Sequence, residues 1–313
     1  MKSFTNCLLI SLISILLFNS CKKENPVISN PPTVNAGASQ TIQLPLNSIS
    51  LTGSVDSGKN KIVGYLWSEV SGPNVPVIVS ESSSVTLVQD LVSGVYVFQF
   101  MAVNDKGLSG IDTVSITVTP SPIMTLNLQP DNNPTEVHIW GNSSGLDQST
   151  PISHELDASE WTYNGQEIGI RAAVKFDLSS IPSDAVITSA KLSLYSNPNA
   201  LNGDHVNPNS GSANAMFIQK ITTSWDAGTV NWIHQPATTD ADQVAISSTT
   251  LPTLDLVDID VTKLISEMVS NNTNYGFMIR LQNETLYNSR IFCSSKYPDA
   301  TKHPKLVVVY QLK

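Results

Sequence analysis

The sequence of 313 residues predicts an all-β protein, an Ig-like sandwich followed by a larger β-sandwich with one short helix. Three observations predict it. Ala172, Val174, Phe176 and Leu178 alternate with Ala173, Lys175 and Asp177, a period of two that puts one set on a buried face and the other towards water. Between residues 34 and 119, seven short runs rich in valine, isoleucine and aromatics recur between Gly, Ser, Asn and Pro, the rhythm of a sandwich. One stretch has helical period: Val261, Leu264, Ile265, Met268 and Val269 fall at i, i+3, i+4, i+7 and i+8.

The N-terminus reads as a targeting segment, residues 1–20. Lys2 is its positive end and Cys7 to Phe18 its apolar run, short of the ~20 residues that span a bilayer. Leu17-Phe18-Asn19-Ser20-Cys21 resembles a bacterial lipobox, which implies a lipid on Cys21 as the first mature residue. More than one acyl chain gives durable anchoring. Residues 21–33, with prolines at 26, 31 and 32, form a tether. The expected location is the cell envelope, at the outer membrane, with either leaflet open.

Hydrophobic residues make up 41% of the chain, enough for two cores. Residues 1–20 hold one lysine and no acid, so the remainder carries 16 basic and 26 acidic residues. That balance argues against nucleic acid, which needs a basic face. It also offers no global attraction to anionic polysaccharide, so such binding needs a local basic patch. Of three cysteines, Cys7 lies in the signal, Cys21 is the acylation site, and Cys293 is left in an apolar run as a buried thiol.

In the first domain, residues 34–119, strands are expected at Thr41–Leu44, Ile49–Val55, Ile62–Val70, Val75–Val79, Val85–Val88, Val95–Val103 and Val114–Val118. Tyr96, Phe98, Phe100 and Ala102 share one face, with Trp67 opposite in the core. Pro120-Ser121-Pro122 marks the boundary, since proline cannot join a ladder.

In the second domain, residues 123–313, strands are expected at Ile123–Leu128, Glu136–Trp140, the two halves of Arg171–Tyr195, Met216–Ile221, Tyr275–Leu281, Ser289–Cys293 and Leu306–Tyr310. Ser179 to Asp184 is turn chemistry. Gly141–Gln166, Asn199–Asn214 and Pro236–Pro252 read as long polar loops. The helix has Asp260 or Thr262 to cap it and plugs one end of the sandwich.

Two resemblances follow from these residues. Asn35-Ala36-Gly37, Leu51-Thr52-Gly53-Ser54, Tyr65-Leu66-Trp67, Ser71-Gly72-Pro73, Gly94 to Phe98 and Asn104 to Gly107 resemble a PKD-type domain. Lys175-Phe176-Asp177-Leu178-Ser179-Ser180-Ile181-Pro182 with Ile187 to Tyr195 resembles the heart of the DNRLRE domain. Thr223 to Trp232, Val257 to Thr262 and His303 to Tyr310 follow in the same order. This family implies a jelly-roll-like, carbohydrate-binding-module-like sandwich on secreted and surface proteins, and it implies polysaccharide as the ligand class. Fold alone does not name the glycan.

No His-Glu-x-x-His helix, Gly-x-Ser-x-Gly elbow or phosphate-cradling glycine loop is present. The expected ligand contacts are Trp140, Trp161 and Tyr163, whose flat rings suit sugar C–H faces. Arg171 and Lys175 stand beside them, where they could meet a uronate carboxylate. Core packing is the competing role for each aromatic, and Trp225 and Trp232 read as core or corner residues. His154, Glu155 and Asp157 offer an acid/base or metal cluster, with a solvated loop as the favoured reading. The one cofactor left open is a structural calcium, with Asp131, Glu136 or Asp157 as contributors.

The leading expectation is a non-catalytic, lipid-anchored surface protein whose second sandwich binds polysaccharide, acidic chains included. The first domain is its spacer, and other surface glycan-uptake proteins are its partners. A structural or adhesive protein making protein–protein contacts is the alternative. A polysaccharide lyase is a third, and would need a base in a deep cleft.

Overall fold

The computed structural model describes residues 29–130, 135–151 and 154–313. The signal segment, Cys21, most of the tether and Asp131 lie outside the described residues.

The first domain contains β1 (Thr33–Asn35), β2 (Gln40–Gln43), β3 (Ile49–Thr52), β4 (Ser54–Asp56), β5 (Ile62–Ser71), β6 (Val77–Ile78), β7 (Val85–Gln89), β8 (Gly94–Asn104) and β9 (Ser109–Thr119). They form a four-stranded sheet β2-β9-β8-β5, a three-stranded sheet β3-β7-β6 and a β1-β4 pair. The period of β8 dictates the packing. Tyr96, Phe98, Phe100 and Ala102 all point inward and are fully buried. Trp67 of β5 stacks on Phe100 with ring centroids 4.6 Å apart. The Tyr96 hydroxyl accepts from the Val92 amide at 2.8 Å, closing the turn before β8. Asn104 is buried where a carboxylate would leave one need unmet. Its Oδ1 accepts from the Lys106 and Leu108 amides and its Nδ2 donates to the Asn30 carbonyl.

The second domain contains β10 (Ile123–Leu128), β11 (Glu136–Gly141), β12 (Asp147–Pro151), β13 (Glu155–Tyr163), β14 (Gln166–Val174), β15 (Val186–Leu194), β16 (Met216–Ile221), β17 (Thr238–Ile246), β18 (Leu256–Asp260), α1 (Thr262–Ser270), β19 (Phe277–Leu281), β20 (Asn288–Cys293) and β21 (Lys305–Gln311). One sheet runs β10-β21-β15-β18. The other runs β12-β11-β14-β19-β16-β17, with β13 and β20 branching from β14. β14 is the branch point: Gln166–Ile170 pair with β13, and Ala172–Val174 pair with β19. The branch reaches the other sheet where Phe292 bridges Ser196, just beyond β15. The main core fills the space between, with Leu156, Ala172, Leu192, Ile279, Phe292 and Val308 among its members. α1 adds Leu264, Ile265, Met268 and Val269 to the same core, as its stripe predicts. Its N-cap is Val261, without a side-chain cap. Asp260 instead accepts from the Thr262 amide, and Thr262 Oγ1 takes the Ala190 amide of β15.

Two stretches expected to be polar loops hold strands. Gly141–Gln166 contains β12 and all of β13, and Pro236–Pro252 contains β17. In β13 Leu156 and Ala158 enter the core, yet Glu155, Asp157 and Ser159 between them are also fully buried. Polar side chains on the second face hid the alternation. The Glu155 carboxylate explains its own burial: it accepts from Asn197 Nδ2, the Leu201 amide, and the Asn202 amide and Nδ2. One carboxylate thus pins the start of the 196–214 segment to β13. His154, Glu155 and Asp157 are therefore not a solvated loop, because the two acids belong to a covered strand.

Two substitutions test these cores. Trp67→Ala should cost the first domain ~3–5 kcal/mol through lost burial and a cavity. Calorimetry should then show its transition moving down while that of the second domain, with a separate core, stays in place. Glu155→Ala leaves four donors of the 196–202 segment without their acceptor, at ~1–3 kcal/mol for each group left buried and unmet. Hydrogen exchange at the Leu201 and Asn202 amides should rise before that of the core strands.

Candidate functional site

β13 and β14 form a hairpin closed by Asn164-Gly165. Both residues have positive φ, 50° and 77°, the backbone that a two-residue Asn-Gly turn requires. Alternation then sorts the hairpin and its neighbour β11 onto two faces. Gly141, Gly169 and Arg171 fall on one, while Trp140, Trp161 and Tyr163 fall on the other.

The first face carries a cleft of about 770 Å³. Its floor is Trp232, which lies on the paired glycines Gly141 and Gly169. A Cβ at Gly141 would come within 2.7 Å of the Trp232 Cβ and Cγ, and one at Gly169 would collide with Cη2. Two glycines side by side on adjacent strands therefore make a flat seat for an indole. Arg171 closes one flank, with its guanidinium carbon 4.7 Å from the Trp232 ring centroid, a cation–π contact. Arg171 Nε and Nη2 donate to the two Glu284 oxygens at 2.7 and 2.8 Å, and Nη1 donates to Gln235 Oε1 at 2.8 Å. Gln235 Nε2 returns to the Trp232 carbonyl, and the Ile233 amide donates to Asp147. The Trp232 segment is thereby held by strand side chains on both sides.

The rim is polar. Asn142 Nδ2 donates to the Glu167 carbonyl, and its Oδ1 takes the Ser144 and Leu146 amides. Gln166, Glu167, Glu160 and Glu284 complete the lining. Three carboxyl groups thus face one guanidinium that already has its partners. Burial, then the nearby Glu284 and Glu167 charges, push the Glu160 pKa up to about 7, against the opposing pull of Arg171. A half-buried indole among fixed acceptors and amides suits a ring with one apolar face and hydroxyls at its edge.

The second face gathers the predicted aromatics. Trp140 meets Tyr163 edge-on at 5.0 Å, and Trp161 meets Tyr287 edge-on at 5.2 Å. Arg171 belongs to the cleft, where Glu284 and Gln235 occupy its donors. Lys175 is four residues further along, roughly 13 Å at strand rise, beyond the end of β14 and beside Gly276. The structure does not bring it to either surface. Trp225 is a corner residue as expected, partly buried and donating to the Tyr275 carbonyl at 2.7 Å. Trp232 likewise packs, partly buried, against the cluster of Val137, Ile139, Ala173 and Met278, and its ring also floors the cleft. The signal that could have placed it was the glycine pair opposite.

Among the described residues, no group of three or more His, Cys, Asp and Glu side chains is arranged to hold a metal. Of the calcium candidates, Glu136 accepts from the Ser295 amide and hydroxyl. Asp157 is fully buried, and burial with the Glu155 charge pushes its pKa well above the carboxylate range. His138 is buried in β11, away from the cleft, and burial lowers its pKa to about 4. Burial pushes the Cys293 thiol up to about 12, so it is inert at neutral pH. No helix among the described residues is long and apolar enough to cross a membrane.

A family model described as the K319L-like PKD domain matches residues 36–118. One for carbohydrate-binding module family 96 matches residues 153–310. The human dyslexia-associated protein KIAA0319 is 36% identical over 104 residues, 32% of this chain and 9% of that protein. The mouse KIAA0319-like protein is 31% identical over 164 residues, 48% of this chain and 14% of that one. The chain thus spans a small part of the length of these relatives. The solution structure of the human KIAA0319 PKD domain covers 33% of this chain and 94% of its own, at 25% identity and a TM-score of 0.28. A structure of carbohydrate-binding modules of the β-sandwich superfamily covers 90% and 96%, at 9% identity and a TM-score of 0.24. The chain carries a PKD-type domain and belongs to carbohydrate-binding module family 96.

Proposed function

We propose that this protein is a non-catalytic, surface-held polysaccharide binder whose second sandwich takes a sugar unit in the Trp232 cleft. The observation that carries the reading is the half-buried indole on its glycine seat, ringed by hydrogen-bonding groups. Family membership supports the ligand class. The cleft charge supports a neutral, hydroxyl-rich chain over a uronate: Glu160, Glu167 and Glu284 would repel a carboxylate, and Arg171 already holds one. Membrane attachment through lipid on Cys21, a spacer role for the PKD-type domain, and partnership with other glycan-uptake proteins complete the proposal. They rest on the sequence of the N-terminal segment and on the order of the domains.

A protein-contact reading draws support from one place. The small sheet of the first domain exposes Val77, Val79, Val85 and Leu87 together. That surface belongs to a different domain from the cleft, so the two readings do not compete for the same residues.

Affinity electrophoresis of the full chain in gels cast with mixed-linkage β-glucan, xylan, galactomannan, alginate or polygalacturonate tests the proposal. The expected result is retardation by a neutral polysaccharide, weakened about 10- to 100-fold in Trp232→Ala, the range for a central aromatic anchor. Retardation by the acidic chains alone, or equal retardation of the variant, would overturn the neutral-sugar cleft.

The cleft also predicts a pH effect on stability. Glu160 keeps its proton in the folded state up to about pH 7, while the unfolded chain loses it in the ordinary carboxylate range. Its contribution to stability therefore falls as pH rises between those values. Glu160→Gln mimics the protonated group. The variant should melt with the parent at pH 5 and above it at pH 8, by on the order of 2–4 °C.

A further inference from the structure

The cleft leaves unexplained a second set of aromatic rings on the opposite face of the same hairpin. Trp140 and Tyr163 touch there, as do Trp161 and Tyr287. Beneath them Ile168 and Ile170 are buried, but Tyr163 is 47% and Tyr287 54% exposed. The rings are thus propped from below and open above.

Tyr287 is held there against its own backbone preference. Its φ is +61°, a region that bulky side chains avoid and that glycine or asparagine enters with less strain. The turn enforces it. Asn288, nearly buried, donates through Nδ2 to the Thr285 carbonyl and hydroxyl and the Leu286 carbonyl, and its Oδ1 accepts from the Ala213 amide. Strain of this kind survives only where the surroundings over-determine it, and it clusters at ligand contacts. Here it projects a phenol ring over Trp161 into solvent. Such rings, apolar on the face and polar at the tip, suit a sugar's C–H surface with its hydroxyls at the edge.

The two surfaces adjoin at the hairpin tip. Gln166 lines the cleft, and its cross-strand partner is Tyr163 of the aromatic set. Paired residues lie ~5 Å apart, so a chain leaving the cleft over Asn164-Gly165 meets Tyr163 first. The exposed area is ring faces and phenol oxygens above buried isoleucines. That offers narrow flat contacts for single rings, not a broad apolar face for a protein.

We propose that Trp161 and Tyr287, with Trp140 and Tyr163 beside them, form a second sugar-contacting surface that takes further pyranose units of the polysaccharide bound in the cleft. The inference rests on the polysaccharide reading and extends it to a longer footprint that wraps the β13–β14 hairpin.

The test uses the full chain in native gels cast with mixed-linkage β-glucan, xylan or galactomannan. Tyr287→Gly removes the ring and relieves the backbone, so its melting temperature should equal or exceed that of the parent. Its retardation should weaken about 3- to 10-fold, as loss of one aromatic contact implies. Trp161→Ala should weaken it in the same direction. Titration with oligosaccharides of two or three units, which fill only the cleft, should give equal affinity for Tyr287→Gly and the parent. A folded Tyr287→Gly that is retarded like the parent would overturn the second surface. Loss of binding in Tyr287→Gly with none in Trp232→Ala would overturn the cleft and leave the aromatic face as the binding site. No retardation of the folded parent by any of these polysaccharides would overturn both.

Discussion

The contact on which the candidate site depends is the indole of Trp232 against two glycines. A side chain at either position would lift the ring away from the sheet. With the ring down, Arg171 stacks beside it, and that placement lets the guanidinium hold Glu284 and Gln235 at once. Gln235 then fixes the Trp232 backbone. The constraint is circular: the glycines admit the ring, the ring flanks the arginine, and the arginine anchors the segment that carries the ring. A preformed aromatic floor of this kind spends little conformational entropy on binding, which favours recognition by shape and hydrogen bonds over induced closure.

The same strands also explain why polar residues are so prominent in this sandwich. β14 serves two neighbours on one edge, β13 at its start and β19 at its end. Where β13 departs it carries Glu155, Asp157 and Ser159 on the face away from the core, and the 196–214 segment covers them. Burying a carboxylate costs least when its acceptor capacity is filled, and Glu155 fills it with four donors from that segment. Carboxyls at β13 thus do two jobs. Glu155 organises a long connection, and Glu160, at the other end of the same strand, stands in the cleft.

Much of the fold was legible in the sequence because it follows from period. The inward face of β8, Trp67 opposite it, the stripe of α1 and the burial of Ala172 and Val174 lie where spacing puts them, whereas Ala173, expected towards water, is fully buried in a second cluster with Val137, Ile139 and Met278 on the other face of the sheet. What was hidden was polar. β13 was obscured by acids and a serine at alternate positions, although Asn164-Gly165 carried the signal for a tight hairpin. β17 alternates too weakly, with no fully covered position, to stand out. The aromatics of the hairpin and its neighbour could be picked out as a set, and Trp140 of β11 and Trp161 and Tyr163 of β13 share one face of the sheet. Arg171 was assigned to a ligand carboxylate, yet its partner is Glu284, 113 residues away. No local pattern announces such a pairing. Trp232 read as a core or corner residue and does pack on a buried cluster, but its place in the cleft was hidden because its glycine seat is assembled from strands far from it in sequence.

The measurement that bears most directly on this account is a titration of the five tryptophan indole N–H signals by proton–nitrogen correlation spectroscopy with a neutral polysaccharide fragment several sugars long. The site places Trp232 in the cleft and Trp161 and Trp140 on the opposite face. It leaves Trp67 fully buried in the first domain and Trp225 bonded to the Tyr275 carbonyl. The Trp232 signal should move at the lowest ligand concentration, Trp161 and Trp140 should follow with longer chains, and Trp67 and Trp225 should stay fixed. A bound ligand that leaves Trp232 unmoved would contradict binding in the cleft.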